Sequence, residues 1–139
     1  MSVAMILLPL FVQVGLTFAL LFALGPMRFR AIREGQVGRE AALDGDAFPP
    51  RCRQFANAFR NQFELPVLFY VLTALALFTR KADIVFVVLA WVFVASRIVH
   101  AFVHVTSNDV RLRFPAFLVG TVALLIMWVL FALAILLNV

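Results

Sequence analysis

Four stretches of about twenty mostly apolar residues, separated by links that carry most of the charge, set the limits on what this chain can fold into. They run from about Val3 to Leu24, Phe55 to Phe78, Asp83 to Val105 and Pro115 to Leu137. A helix rises about 1.5 Å per residue, so each stretch is long enough to cross the roughly 30 Å hydrocarbon layer of a bilayer. With no water in that layer, the backbone has to satisfy itself within each segment. The expected fold is an all-α membrane protein, a bundle of four transmembrane helices, forming a single domain over residues 1–139. Composition agrees. The chain is 65% hydrophobic and only 14% charged, against about 45–50% and about 25% in soluble domains. The net charge of +5 forms no basic stripe on a soluble face, so a nucleic-acid partner is not expected. Cys52 is the one cysteine, which excludes an intrachain disulfide.

The first stretch is not the pattern of a signal peptide. It lacks a basic leader, is too long, and its positive charges come after it. It is expected to be a retained helix ending at Gly25-Pro26. Orientation follows from the arginines and lysines. The first link carries Arg28, Arg30, Arg33, Arg39, Arg51 and Arg53, and the third carries Arg111 and Arg113, whereas the second holds only Arg80 and Lys81. Links one and three are therefore expected in the cytoplasm, with both termini outside. The first link, Met27 to Arg53, is Gly-rich and closes on Pro49-Pro50. It reads as a connector or as a mobile lid.

Polar residues interrupt two of the apolar stretches at a regular spacing. Arg53, Asn57, Arg60, Asn61 and Glu64 recur every three or four residues through the first half of the second span. They fall on one helical face, and Arg60 and Glu64 stand at i, i+4, where they can pair. The third span ends with Arg97, His100 and His104 on one face. Were that helix to continue, Arg111 would extend the line to roughly 21 Å. An ionisable residue inside a membrane costs about 2.5–3.5 kcal/mol on insertion scales, so it faces protein or a wet cavity rather than lipid. Two polar rows at the same depth are expected to face each other across a net positive cleft open to the cytoplasm.

Each member of these rows also has a plain structural explanation. Arg60 with Glu64 reads as an ion pair joining helices, and the asparagines as interhelical hydrogen-bond donors. Arg97 reads as an interface anchor, and Arg111 with Arg113 as topology signals. His100 and His104 have metal-ligand spacing on a helix but lack the adjacent glutamate and a third ligand nearby, so no metal is expected. The number of polar groups on the two helices exceeds what packing needs.

The N-x-x-E of Asn61 and Glu64 followed by Pro66, together with "RIVHAFVHVTSNDVRLR", resembles the MAPEG family, the membrane-associated proteins of eicosanoid and glutathione metabolism, and its bacterial members in particular. The resemblance spans nearly the whole chain. It implies a homotrimer of four-helix bundles in the bacterial inner membrane, with glutathione as cosubstrate held between subunits on the cytoplasmic side. Asn61 and Glu64 match the family's asparagine and glutamate, the latter reaching the amino end of glutathione. Arg97 matches a family arginine, and Arg111 matches the arginine that faces the glutathione sulfur. Asn57 stands where the family usually has arginine, and His100 and His104 where glutathione-using members often have tyrosine.

The chemistry is consistent with that resemblance. Glutathione offers two carboxylates for arginines, an ammonium for Glu64, and a thiol that a nearby arginine would help to ionise. The partner would be a hydrophobic small molecule or lipid hydroperoxide arriving from the bilayer. Arg111 is the expected catalytic residue; Arg53, Asn57, Arg60, Asn61, Glu64, Arg97, His100 and His104 are the expected ligand-binding residues. Two alternatives stay open: a similar protein with another ligand, and a non-enzymatic membrane module.

Overall fold

In a computed structural model of the chain, residues 1–38 and 47–138 are described. They form five helices: α1 (Val3–Arg33), α2 (Pro50–Asn61), α3 (Leu65–Phe78), α4 (Ile84–Val105) and α5 (Val110–Leu136). Among the described residues there is no strand. Helix α1, the α2–α3 pair, α4 and α5 are each long and apolar enough to cross a membrane. The all-α, four-span architecture is thus as the hydropathy pattern predicts.

Half of the apolar window of α4 is buried, against 22% for α1 and for α5, so α4 is the central helix. Its buried face runs Phe86, Val87, Ala90, Phe93, Val94, Arg97, Ala101, His104, the three-and-four spacing of a single stripe. The apolar part of that stripe packs against Phe69, Leu72 and Ala76 of α3 and Ala123, Leu124 and Met127 of α5. Phe69 and Phe93 lie at its centre with ring centroids 4.9 Å apart. At Gly120 the α5 backbone meets α4 closely enough that an added methyl group would overlap the Ser96 hydroxyl. Beyond this core the same stripe turns polar, from Arg97 onward.

Three expected helix boundaries differ from those observed. Helix α1 does not stop at Gly25-Pro26 but continues to Arg33. A proline inside a helix costs about 3 kcal/mol. Leu24 and Ala31 offset it by packing on Phe48, Cys52 and Ala56. The helix ends one turn later, where Gly35 takes φ 73°. There the Gln36 N–H donates to the Ala31 carbonyl at 2.9 Å and the Gly35 N–H to Ile32 at 3.1 Å, a left-handed C-terminal cap suited to glycine. Much of the expected first link is therefore helical. Its residues 39–46, Arg39 included, lie outside the described residues, and so does the choice between connector and lid for that stretch.

The second span is not one helix. Pro66 has no N–H for the Gln62 carbonyl, and the chain answers with a tight turn between α2 and α3. Gln62, Phe63 and Glu64 donate three residues back, to Phe59, Arg60 and Asn61, at 3.0, 3.0 and 3.3 Å. The fourth span begins at Val110 rather than at Pro115. Asp109 caps it, its carboxylate accepting from the Arg111 N–H at 3.0 Å. An acidic N-cap sets a helix start more firmly than a proline one turn further in.

Candidate functional site

The polar ends of α2, α4 and α5 enclose a cavity of about 780 Å³. From the α2–α3 span it is lined by Asn57, Arg60, Asn61, Glu64 and Leu65; from α4 by Arg97, His100 and His104; from α5 by Val110, Arg113, Phe114 and Phe117. The expected convergence of two polar rows is present, and a third helix completes it.

Arg97 is the innermost charge, 2% exposed, at a depth where α4 is surrounded by helices. Its Nη2 donates to the Asn61 carbonyl at 3.4 Å, and its Nε has no partner. That carbonyl is available because the turn at Pro66 ends α2 there. The C-terminal end of a helix carries partial negative charge, which suits a cation. Glu64, on the rim, is close enough to act on Arg97 electrostatically. One turn along α4, His100 is 6% exposed with Nδ1 unpartnered. Its ring lies edge-to-face with His104 at 5.8 Å and 6.0 Å from Phe117.

Asn61 Nδ2 and His104 Nδ1 are 3.3 Å apart. An amide nitrogen only donates, so Nδ1 accepts, and a neutral His104 carries its proton on Nε2. The Asn61–His104 bond joins the end of α2 to α4 by side chains, as Arg97 joins them through the main chain.

The structure does not bring every expected residue to this cavity. Arg53, half-buried one turn before Asn57, is not part of the lining. Arg60 and Glu64 both line it but do not pair. Their i, i+4 geometry is lost where the helix breaks between them. Arg111 is exposed and outside the cavity of its own chain. Arg113 is there instead, its Nη1 held by Asn108 Oδ1 at 2.5 Å. Two residues apart on a helix means about 200° of rotation, so Arg111 and Arg113 cannot share a face. The row Val110, Arg113, Phe114, Phe117 has the i, i+3, i+4, i+7 spacing of one face. It becomes readable once Asp109 is recognised as an N-cap.

The lining is of two kinds. Three arginines and one glutamate give it an excess of positive charge, which favours an anion. Leu65, Val110, Phe114 and Phe117 are its apolar members, with Phe117 6.0 Å from His100. Phe114 and Val110 are 57% and 59% exposed.

The sequence model of the MAPEG family matches residues 6–133. No curated protein and no solved structure matches the chain significantly.

Proposed function

This chain therefore belongs to the MAPEG family, and on that premise we propose that its cavity binds glutathione and directs the thiol at a hydrophobic electrophile or lipid hydroperoxide. The observation that carries the reading is a cavity whose lining is both cationic and apolar. Its excess positive charge suits a peptide with two carboxylates. Its apolar residues, Phe114 and Val110 among them more than half exposed, suit a second substrate dissolved in the bilayer. The volume of about 780 Å³ lies within the roughly 300–1,000 Å³ typical of small-molecule sites.

Glutathione supplies a thiol nucleophile. The rest is the work of this chain. Arg60 and Arg97 pair with carboxylates. Glu64, unpaired on the rim, takes the ammonium. His104 donates from Nε2. Arg113 takes the part expected of Arg111. A free cysteine thiol ionises near about pH 8.5, and a guanidinium in contact with it favours the ionised form. The apolar residues of the lining hold the second substrate beside the sulfur. The reading includes assembly as a homotrimer, in which a neighbour would cover part of the exposed rim. It also includes an orientation with the arginine-rich ends, and the site, on the cytoplasmic side of a bacterial inner membrane.

Calorimetric titration with glutathione in detergent tests the proposal. Saturable binding is expected, weakened about tenfold in Glu64→Gln, the scale of one lost charge-assisted contact. An absence of binding by the parent protein ends the reading. Asn57, His100 and His104 favour one alternative, a different anionic ligand in the same cavity, and a ligand found by mass spectrometry in the protein as isolated would identify it.

A further inference from the structure

Two buried glutamines have no part in the site as described. Gln13, midway along α1, is wholly inaccessible, and Gln62, in the turn between α2 and α3, is 1% exposed. Neither lines the cavity. Amides are costly in a membrane interior unless paired. These two pair with each other: Gln13 Nε2 donates to Gln62 Oε1 at 2.6 Å, and Gln62 Nε2 donates to the Ala58 carbonyl at 2.9 Å. The second bond has a backbone cause. In the tight turn the Gln62 N–H has moved to the Phe59 carbonyl, abandoning the Ala58 carbonyl that a regular helix would assign to it. The side chain of the same residue takes its place.

The pair is not an ideal packing solution. Gln13 Oε1 is buried with no hydrogen bond of ordinary geometry, although the Tyr70 hydroxyl of α3 is near enough to interact with Gln13. Apolar residues at both positions would remove that unbonded oxygen but would leave the buried Ala58 carbonyl without its Gln62 donor. What the glutamines add is geometry. The turn is held from one side by α1 through Gln13 and from the other by Arg97 of α4. Asn61 and Glu64, which flank it, are thereby held at the cavity.

We propose that Gln13 and Gln62 are positioning residues, a latch from α1 that fixes the α2–α3 turn and so the placement of Asn61 and Glu64. The kinetic part of the test rests on the glutathione reading; the structural part does not. Gln13→Leu and the double variant Gln13→Leu/Gln62→Leu are compared with the parent. Thr73→Val serves as control. Thr73 is equally buried, but its hydroxyl bonds only to Phe69 of its own helix, at 2.9 Å. The double variant leaves neither amide unpaired but frees the Ala58 carbonyl, whereas Gln13→Leu keeps that carbonyl bonded; the melting temperature in detergent of each separates a loosened turn from simple unfolding.

Amide hydrogen exchange at residues 62–65, measured without ligand, is expected to quicken about tenfold in both latch variants and not in the control. The KM for glutathione is expected to rise about tenfold while kcat stays within about threefold, the signature of a misplaced binding group. Unchanged exchange in the double variant, or an equal change in Thr73→Val, overturns the latch. Faster exchange in a protein whose parent fails to bind glutathione supports the latch and ends only the glutathione reading.

Discussion

Arg97 of α4 reaches across to the main-chain oxygen of Asn61, 3.4 Å from its Nη2, and so holds a helix end with a charge buried at the level of the membrane. Two costs compete at this residue. A charge in a membrane helix costs about 2.5–3.5 kcal/mol, and losing its charged hydrogen bond to the Asn61 carbonyl, which keeps the Glu64 N–H at 3.3 Å, costs about 1.5–3 kcal/mol. Replacing Arg97 by an apolar side chain of similar length exchanges one for the other.

Arg97→Met is therefore expected to leave the melting temperature in detergent close to that of the parent. Anion binding should behave differently, because the innermost donor is gone. Glutathione affinity is expected to fall at least about tenfold, for a loss of about 1.5–3 kcal/mol per charged hydrogen bond. A large drop in melting temperature with unaltered affinity would make Arg97 structural.

Arg113 and Arg111 offer a direct comparison, since they differ by two positions and by which side of α5 they occupy. Arg113→Ala is expected to reduce the glutathione thiolate absorbance, and the rate of conjugation, by about 10- to 100-fold. Arg111→Ala should change either by less than about twofold, as for an exposed residue away from the site. Stopped-flow absorbance separates them. The reverse ranking would place the sulfur on the other side of α5, at a neighbouring subunit.

Gly120 makes a prediction that does not depend on ligand. Alanine there gains about 1 kcal/mol of helix propensity, but its methyl group meets the Ser96 hydroxyl, and overpacking of this kind costs about 1–3 kcal/mol. Gly120→Ala is expected to lower the melting temperature. Adding Ser96→Ala, which removes the obstructing oxygen, should recover most of the loss. A double-mutant cycle with no coupling would mean that the close approach of α4 and α5 is not what constrains position 120.

The spans and much of the cavity were readable from the sequence because both are periodic. Asn57, Arg60 and Asn61 share a face of α2, with Glu64 in the turn that follows, and Arg97, His100 and His104 share a face of α4, and the structure brings these residues to one cavity. What failed was continuity. Extending the α4 row to Arg111 assumes unbroken helix, but the chain turns at residues 106–109 and restarts from Asp109, which resets the phase and selects Arg113. The Arg60–Glu64 pair failed for the same reason at Pro66, a break whose signal was in the sequence. Gln13 and Gln62 carried no such signal. One amide in a long apolar run has no period, and its partner lies 49 residues away. At Gly25-Pro26 the local stop signal was real, but the packing of Leu24 and Ala31 prevailed over it.

Phe114 and Val110 line the cavity and yet are more than half exposed. A greasy reactant approaching there would be counted per unit of lipid or detergent, not per litre of water. At a constant total amount of such a reactant, more detergent would dilute it within the micelles and slow turnover, while the dependence on glutathione held steady. Reactant rankings obtained with this protein would then reflect oil–water partitioning as much as intrinsic reactivity.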